Sequence, residues 1–108
     1  MLKAIETLTR NCTSMKVGNH RVEVDRLPNG NELLRKYFYH DHLICLVDMH
    51  NNVCMTNHCG WGTSSTSRAI NDYIRYYVKW YSFLHVNADE LGIEEREMMY
   101  KMREGNFK

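Results

Sequence analysis

The stretch GWGTSSTSRAIN, residues 60–71, marks the point where the chain changes from one kind of pattern to another. Short alternating runs with turns precede it, and a long aromatic stretch without glycine or proline follows it. Gly60 and Gly62 permit a sharp turn, and we expect Trp61 to pack where the sheet meets the helix. One of three hydroxyl residues is expected to cap the helix: Ser64, Ser65 or Thr66. The stretch therefore predicts a joint between a strand and a helix.

Upstream of the joint, apolar residues recur with the period of two that is typical of half-buried strands. The sequence predicts four strands, at residues 20–27, 32–39, 43–49 and 53–57, with turns at PNGN (28–31), HDH (40–42) and HNN (50–52). Residues 43–49 are apolar on both faces, which indicates a central strand covered on both sides or a strand with one face in an interface. Tight turns between successive strands favour an antiparallel meander.

Downstream of the joint, the spacing predicts a helix from about residue 66 to 86. Its apolar side carries Ile70, Tyr73, Ile74, Tyr77, Tyr81 and Leu84, and its polar side carries Arg68, Asp72, Arg75 and Lys79. Residues 2–10 have the spacing of a short helix, and Asn87 with Glu90 forms a capping box that starts a C-terminal helix ending near Gly105. The predicted fold class is α+β: a four-stranded antiparallel β-meander packed on a long helix, with a short N-terminal helix and a C-terminal helix, in a single domain over residues 1–108.

Composition and charge limit the kinds of partner and the cellular location that we expect for this chain. The formal net charge is +1, so no global field attracts nucleic acid, and a basic patch must be local. We find no signal peptide, and no apolar run approaches the roughly 20 residues of a membrane span. The expected location is therefore the cytoplasm, where reduced thiols are expected at Cys12, Cys45, Cys54 and Cys59.

The sequence disfavours two kinds of chemistry, a zinc site and nucleophilic catalysis. The atoms for a zinc site are present in His40, His42, His50, His58, Cys45, Cys54 and Cys59, but no pair has a usual structural spacing. The turns at 40–42 and 50–52 should also lie at opposite ends of the strand between them. Hydroxyls at residues 64–67 lie near His58 and Cys59, but no G-x-S-x-G elbow occurs. We expect no metal, no cofactor and no enzymatic activity.

Binding of another protein is the favoured function. Aromatic residues on the flank of the long helix have the composition of an interface core: Tyr73, Tyr76, Trp80 and Phe83. A single sheet face does not need so wide an apolar arc, so we expect a partner protein or a second copy of the chain to cover this flank.

Nucleic-acid or anion binding is the alternative. A helix N-terminus offers free N–H groups to a phosphate, and a basic line and a stacking residue accompany it: Trp61, Ser65, Thr66, Arg68, Arg75 and Lys79. A solvated, salt-bridged helix face would use the same residues, because Asp72 lies within reach of both Arg68 and Arg75.

Residues 37–74 resemble a family of small, mostly phage-encoded proteins and domains of unknown function. The shared features are the hairpin HDHLICLVDMHNNVCMTN and a joint of the form G-W-x-T-x-T-T-x-x-R-[IL]-N, matched at Gly60, Trp61, Thr63, Thr66, Arg68 or its neighbour, Ile70 and Asn71. The chain departs from the family at Ser65, where a threonine is usual, and in the register of the arginine by about one residue. The resemblance implies a phage accessory protein that binds a host protein, such as a defence-system or transcription component, and inhibits or redirects it.

Overall fold

The computed structural model describes residues 2–49, 52–57 and 64–86, the last five of these by their backbone. The elements in chain order are α1 (Lys3–Arg10), β1 (Met15–Val17), β2 (His20–Arg26), β3 (Glu32–Tyr39), β4 (His42–Asp48), β5 (Val53–Asn57), α2 (Ser64–Tyr77) and β6 (Ser82–Val86). Neither α1 nor α2 is long and apolar enough to cross a membrane. The expected C-terminal helix, from residue 87 onward, lies outside the described residues.

Six strands form one sheet whose spatial order follows the sequence. Strands β1 to β5 pair antiparallel with their neighbours, whereas β6 runs parallel to β5, with Cys54 opposite Phe83. A parallel neighbour requires a crossover, and α2 provides it. The prediction of an α+β chain with an antiparallel meander is confirmed for β1 to β5, but the sheet has two more strands than the four predicted, and one of them, β6, is parallel.

The prediction of one long helix over residues 66–86 is wrong from residue 78 onward. Helix α2 ends at Tyr77, a turn follows, and residues 82–86 form β6. The sequence SFLHV suits a strand as well as a helix, and pairing with β5 satisfies its backbone groups through contacts far away in sequence. Helix α2 also begins at Ser64, so the three residues expected to include its cap lie in its first turn.

Both helices pack on the same face of the sheet. Ile5 and Leu8 of α1 are fully buried, in a cluster with residues of α2 spaced to form one apolar stripe: Ala69, Ile70, Tyr73 and Tyr77. From the sheet, that cluster takes Val22, Tyr37, Ile44, Cys45, Val47 and Cys54. The short helix predicted within residues 2–10 is therefore present as α1, and one face of it is buried.

A second buried cluster lies on the opposite face of the sheet. It comprises Leu34, Leu43, Leu46, Val53 and Met55, with Leu33 and Phe38 packed against it. Strand β4 contributes to both clusters, so of the two alternatives for residues 43–49 the structure shows the central strand covered on both sides.

Candidate binding groove

Helix α2 ends in a turn that is fixed by backbone hydrogen bonds. The Val78 amide donates to the Ile74 carbonyl at 2.8 Å, and the amides of Trp80 and Tyr81 both donate to the Tyr77 carbonyl, at 3.1 and 3.0 Å. The ring of Tyr77 meets the ring of Tyr81 edge-on, with centroids 5.2 Å apart. The turn therefore holds the residues after the helix in one defined position.

This turn forms one wall of a groove of about 1060 Å³ between the C-terminal ends of α1 and α2 and one end of the central strands, at the start of β3 and the turn after β4. Four aromatic side chains line it, Tyr76, Tyr77, Trp80 and Tyr81, together with four cationic ones, Arg10, Arg35, Arg75 and Lys79. Glu32 is the one acidic residue among the described lining residues. The groove is therefore aromatic and positively charged.

Arg35 forms part of the floor, and its guanidinium ties α1 to the sheet. Its Nη1 donates to the carbonyls of Leu8 and Thr9 and to the Tyr37 hydroxyl, each at 3.3 Å. Its Nη2 donates to the Asn11 carbonyl at 2.6 Å, and Nε and Nη2 each lie 2.7 Å from Glu32 Oε1. Since these contacts use all the N–H directions of the guanidinium, Arg35 shapes the groove and has no donor left for a ligand.

Buried tyrosines continue the floor toward the core. The Tyr37 and Tyr77 hydroxyls are hydrogen-bonded to each other. Burial raises the pKa of Tyr37 to about 12, although its bonds to Tyr77 and Arg35 act in the opposite direction. Burial and the neighbouring Tyr37 also raise the pKa of Tyr77 above its ordinary value. Both phenols are therefore neutral hydrogen-bonding groups at physiological pH.

The rim of the groove is exposed, unlike its floor. Trp80 has 77% of its surface exposed and Tyr76 38%, and 54% of the neighbouring Val78, which does not line the groove, is exposed. Arg10, Arg75 and Lys79 are also exposed. Within the described residues Lys79 forms no ion pair, whereas Arg75 lies 3.8 Å from Asp72 and Arg10 lies 3.1 Å from Glu6. The rim therefore combines large aromatic surface with positive charge.

The residues predicted to bind a protein partner do not all reach this rim. Tyr76 and Trp80 do, but Tyr73 is fully buried with its ring centroid 4.3 Å from that of Tyr37. Tyr73 is therefore part of the core and has no surface to offer a partner. Phe83 lies on β6 opposite Cys54 rather than on a helix.

The residues predicted to bind an anion or nucleic acid are divided between the two ends of α2. Ser65 and Arg68 line a separate pocket of about 400 Å³ with Leu2, His20, Tyr39 and Ser64. Arg75 and Lys79 instead line the groove, and Thr66 is buried. Trp61 lies outside the described residues.

Asp72 does not pair with Arg68 as the helical spacing predicts. It is buried, and its Oδ2 accepts a hydrogen bond from the Leu2 amide at 2.7 Å. Asp72 was expected on the solvent face, but α1 packs against α2 and its N-terminal amide takes this carboxylate. Arg68 is consequently exposed, and it forms no ion pair within the part of the chain that the structure describes.

The cysteines and histidines do not assemble a metal centre in the described residues. Cys45 and Cys54 are free, buried thiols with their Sγ atoms 3.6 Å apart, and Cys12 is free and exposed. His40 lies in the two-residue turn between β3 and β4, and His42 begins β4. His50, His58 and Cys59 lie outside the described ranges.

Sequence reasoning missed Arg10, Glu32 and Arg35 as groove residues. The available signal was weak: Arg10 follows an apolar helical pattern at its C-terminal end, where a cation is common. Arg35 interrupts the apolar face of β3, an anomaly that indicates a buried partner. The chain matches no protein-family model, no curated protein and no solved structure.

Proposed function

We propose that the chain is a small, non-enzymatic binding protein that contacts a partner protein through the groove at the end of α2. The observation that carries this proposal is the exposure of Trp80, 77% of whose surface is open to solvent at the edge of a pre-formed groove. Trp, Tyr and Arg are the residues most enriched at the energetic centres of protein interfaces, and Trp80, Tyr76 and Arg75 lie together here.

The rigidity of the groove supports the same proposal. The turn that carries Trp80 is held by backbone hydrogen bonds, and the floor is held by the bonds of Arg35. A pre-organised surface loses less conformational entropy when it binds. The backbone that carries Trp80 therefore does not have to be ordered when a partner binds.

Cys12 is a free, exposed thiol in the lining, and the non-enzymatic character of the proposal is supported by the state of the lining groups that could activate it. Glu32, the acidic group among the described lining residues, is held by Arg35, and the tyrosine hydroxyls of the floor bond to each other. These groups are occupied by structural bonds rather than available to activate a nucleophile.

The phage part of the proposal is supported by the resemblance of residues 37–74 alone. On that basis the partner is a host protein, such as a defence-system or transcription component, which the chain inhibits or redirects. A homodimer would use the same exposed side chains, Tyr76, Val78 and Trp80. Sedimentation of the purified chain distinguishes a second copy from a different protein as the partner.

Nucleic-acid binding is the second candidate, because Arg75, Lys79 and Trp80 lie in one groove. Stacking on an exposed tryptophan beside cations is the usual way to hold single strands. Binding through phosphates predicts an affinity for oligo-dT that falls steeply with added salt. A salt-independent affinity, or no binding at low salt, removes this candidate.

The proposal is tested by affinity capture from a bacterial lysate with the tagged chain and two variants. Trp80→Ala removes the exposed indole, and Met15→Ala removes an exposed apolar side chain on β1, outside the groove. We expect one stoichiometric partner with the wild type and with Met15→Ala, and its loss with Trp80→Ala. Equal capture by all three proteins would contradict the proposal.

A further inference from the structure

The charges around the groove favour one kind of occupant. Glu32 has only 22% of its side chain exposed and contacts the Arg35 guanidinium at 2.7 Å, so the negative charge in the lining is already neutralised. On the rim, Lys79 forms no ion pair with any described residue, and Arg75 lies at the long distance of 3.8 Å from Asp72. The rim therefore presents positive charge that the groove itself does not compensate.

The Asp72 carboxylate is shared between two contacts. Its Oδ2 accepts the Leu2 amide at 2.7 Å, which holds the N-terminal end of α1 against α2. Its Oδ1 lies 3.8 Å from Arg75 Nη1, and because Asp72 is buried while 68% of the Arg75 side chain is exposed, most of the guanidinium stays open to solvent. A ligand carboxylate can therefore approach Arg75 from the solvent side with little competition.

The rim cations lie in the same groove as aromatic surface. Arg75 and Lys79 are four residues apart at the end of α2, a spacing that places side chains on one face, and the rings of Tyr76 and Trp80 line the groove with them. A ligand that matches this lining has carboxylates next to a ring or a large aliphatic side chain. Cation–π attraction and ring stacking add to the charge pairing.

We infer that the occupant of the groove is an acidic peptide segment of a partner protein, with an aromatic or large apolar residue flanked by carboxylates. This inference rests on the proposed function and names the chemistry of its partner. A nucleic acid is disfavoured because the chain carries a net charge of only +1, and phosphate backbones are held by many neutralising contacts. The carboxylates contact Arg75 and Lys79, and the apolar residue packs on Trp80.

The inference is tested by fluorescence anisotropy with labelled peptides of defined composition and the full chain. The probe is EEYEEYEE, and the comparison ligands are QQYQQYQQ, EEAEEAEE, KKYKKYKK and oligo-dT. We expect the probe to bind more tightly than each comparison ligand, because it alone combines both kinds of contact. Tighter binding of KKYKKYKK or of oligo-dT would overturn the inference.

Two double variants with the same net charge provide the control. Arg75→Gln with Lys79→Gln removes the rim cations, and Lys3→Gln with Lys16→Gln removes two exposed cations outside the groove. We expect the first pair to weaken binding of the probe about tenfold, as two exposed charge contacts are worth, and the second pair to change it less than twofold. An equal loss in both would show that the peptide responds to net charge and would overturn the inference.

The failure of the inference is distinguishable from the failure of the proposed function. If a lysate partner is lost with Trp80→Ala but retained with the double variant Arg75→Gln and Lys79→Gln, the groove remains the binding site. That result would overturn the inference that its ligand is acidic. A partner retained by both variants would overturn both. Self-association that Trp80→Ala abolishes would assign the groove to a second copy of the chain and would likewise overturn the inference.

Discussion

Tyr73 and Tyr77 lie one turn apart on α2, and both rings are buried, but their hydroxyls have different surroundings. The Tyr77 hydroxyl bonds to the Tyr37 hydroxyl, which in turn accepts from Arg35. The Tyr73 hydroxyl is buried without a hydrogen-bond partner among the described residues. An unsatisfied buried polar group costs free energy, whereas a satisfied one contributes to stability.

The same substitution should therefore have opposite effects at these two positions. We expect Tyr73→Phe to leave the free energy of unfolding unchanged or to raise it by up to about 1 kcal/mol, and Tyr77→Phe to lower it by about 1 kcal/mol. Urea unfolding of both variants beside the wild type measures the difference. A larger loss for Tyr73→Phe than for Tyr77→Phe would contradict this account of the core.

Arg35 provides a second test of the buried polar contacts. Because a lysine cannot reproduce the forked contacts to α1 and Glu32, we expect Arg35→Lys to lower the free energy of unfolding by about 2–4 kcal/mol. Arg10→Gln removes an exposed cation paired with Glu6 and should change it by at most about 0.5 kcal/mol. If chemical denaturation gives similar values for the two variants, Arg35 does not tie α1 to the sheet.

The region after α2 is where sequence reasoning and structure differ most. Residues 78–86 continue the helical spacing of α2, with Tyr77, Tyr81 and Leu84 on one side, yet the chain turns and pairs with β5. Backbone Cα and Cβ chemical shifts should be helical for residues 64–77 and extended for residues 82–86. Helical shifts through residue 86 would restore the predicted long helix and remove the turn that carries Trp80.

The sequence predicted those helices and strands whose own residues show, by the spacing of apolar side chains, which faces are buried. Residues 43–49 carry apolar side chains on both faces and form a strand buried on both faces, and residues 2–10 form the expected helix. The identity of β6 was not predictable in this way, because its partner, β5, lies about 30 residues earlier in the sequence. The residues of β6 carry no mark of that distant pairing, and their sequence suits a helix as well as a strand.

The groove was predictable only in part, for the same reason. Tyr76, Trp80, Arg75 and Lys79 were identified from the helix pattern, although they were assigned to two competing functions. Arg10 and Arg35 join them because α1 packs against the sheet. The molecule as a whole thus brings two residues of each predicted set into one place, while Tyr73 lies in the core and Arg68 in a separate pocket.

The central claim is that a partner binds in the exposed groove around Trp80, and an NMR titration tests the location of that binding most directly. The full chain, labelled with ¹⁵N, is titrated with the peptide EEYEEYEE, and the Trp80 indole signal is identified by its loss in Trp80→Ala. We expect the Trp80 indole and the amides of residues 75–81 to shift together, with little change in residues 64–68. Shifts confined to residues 64–68, or the absence of any shift between residues 75 and 81, would contradict the claim.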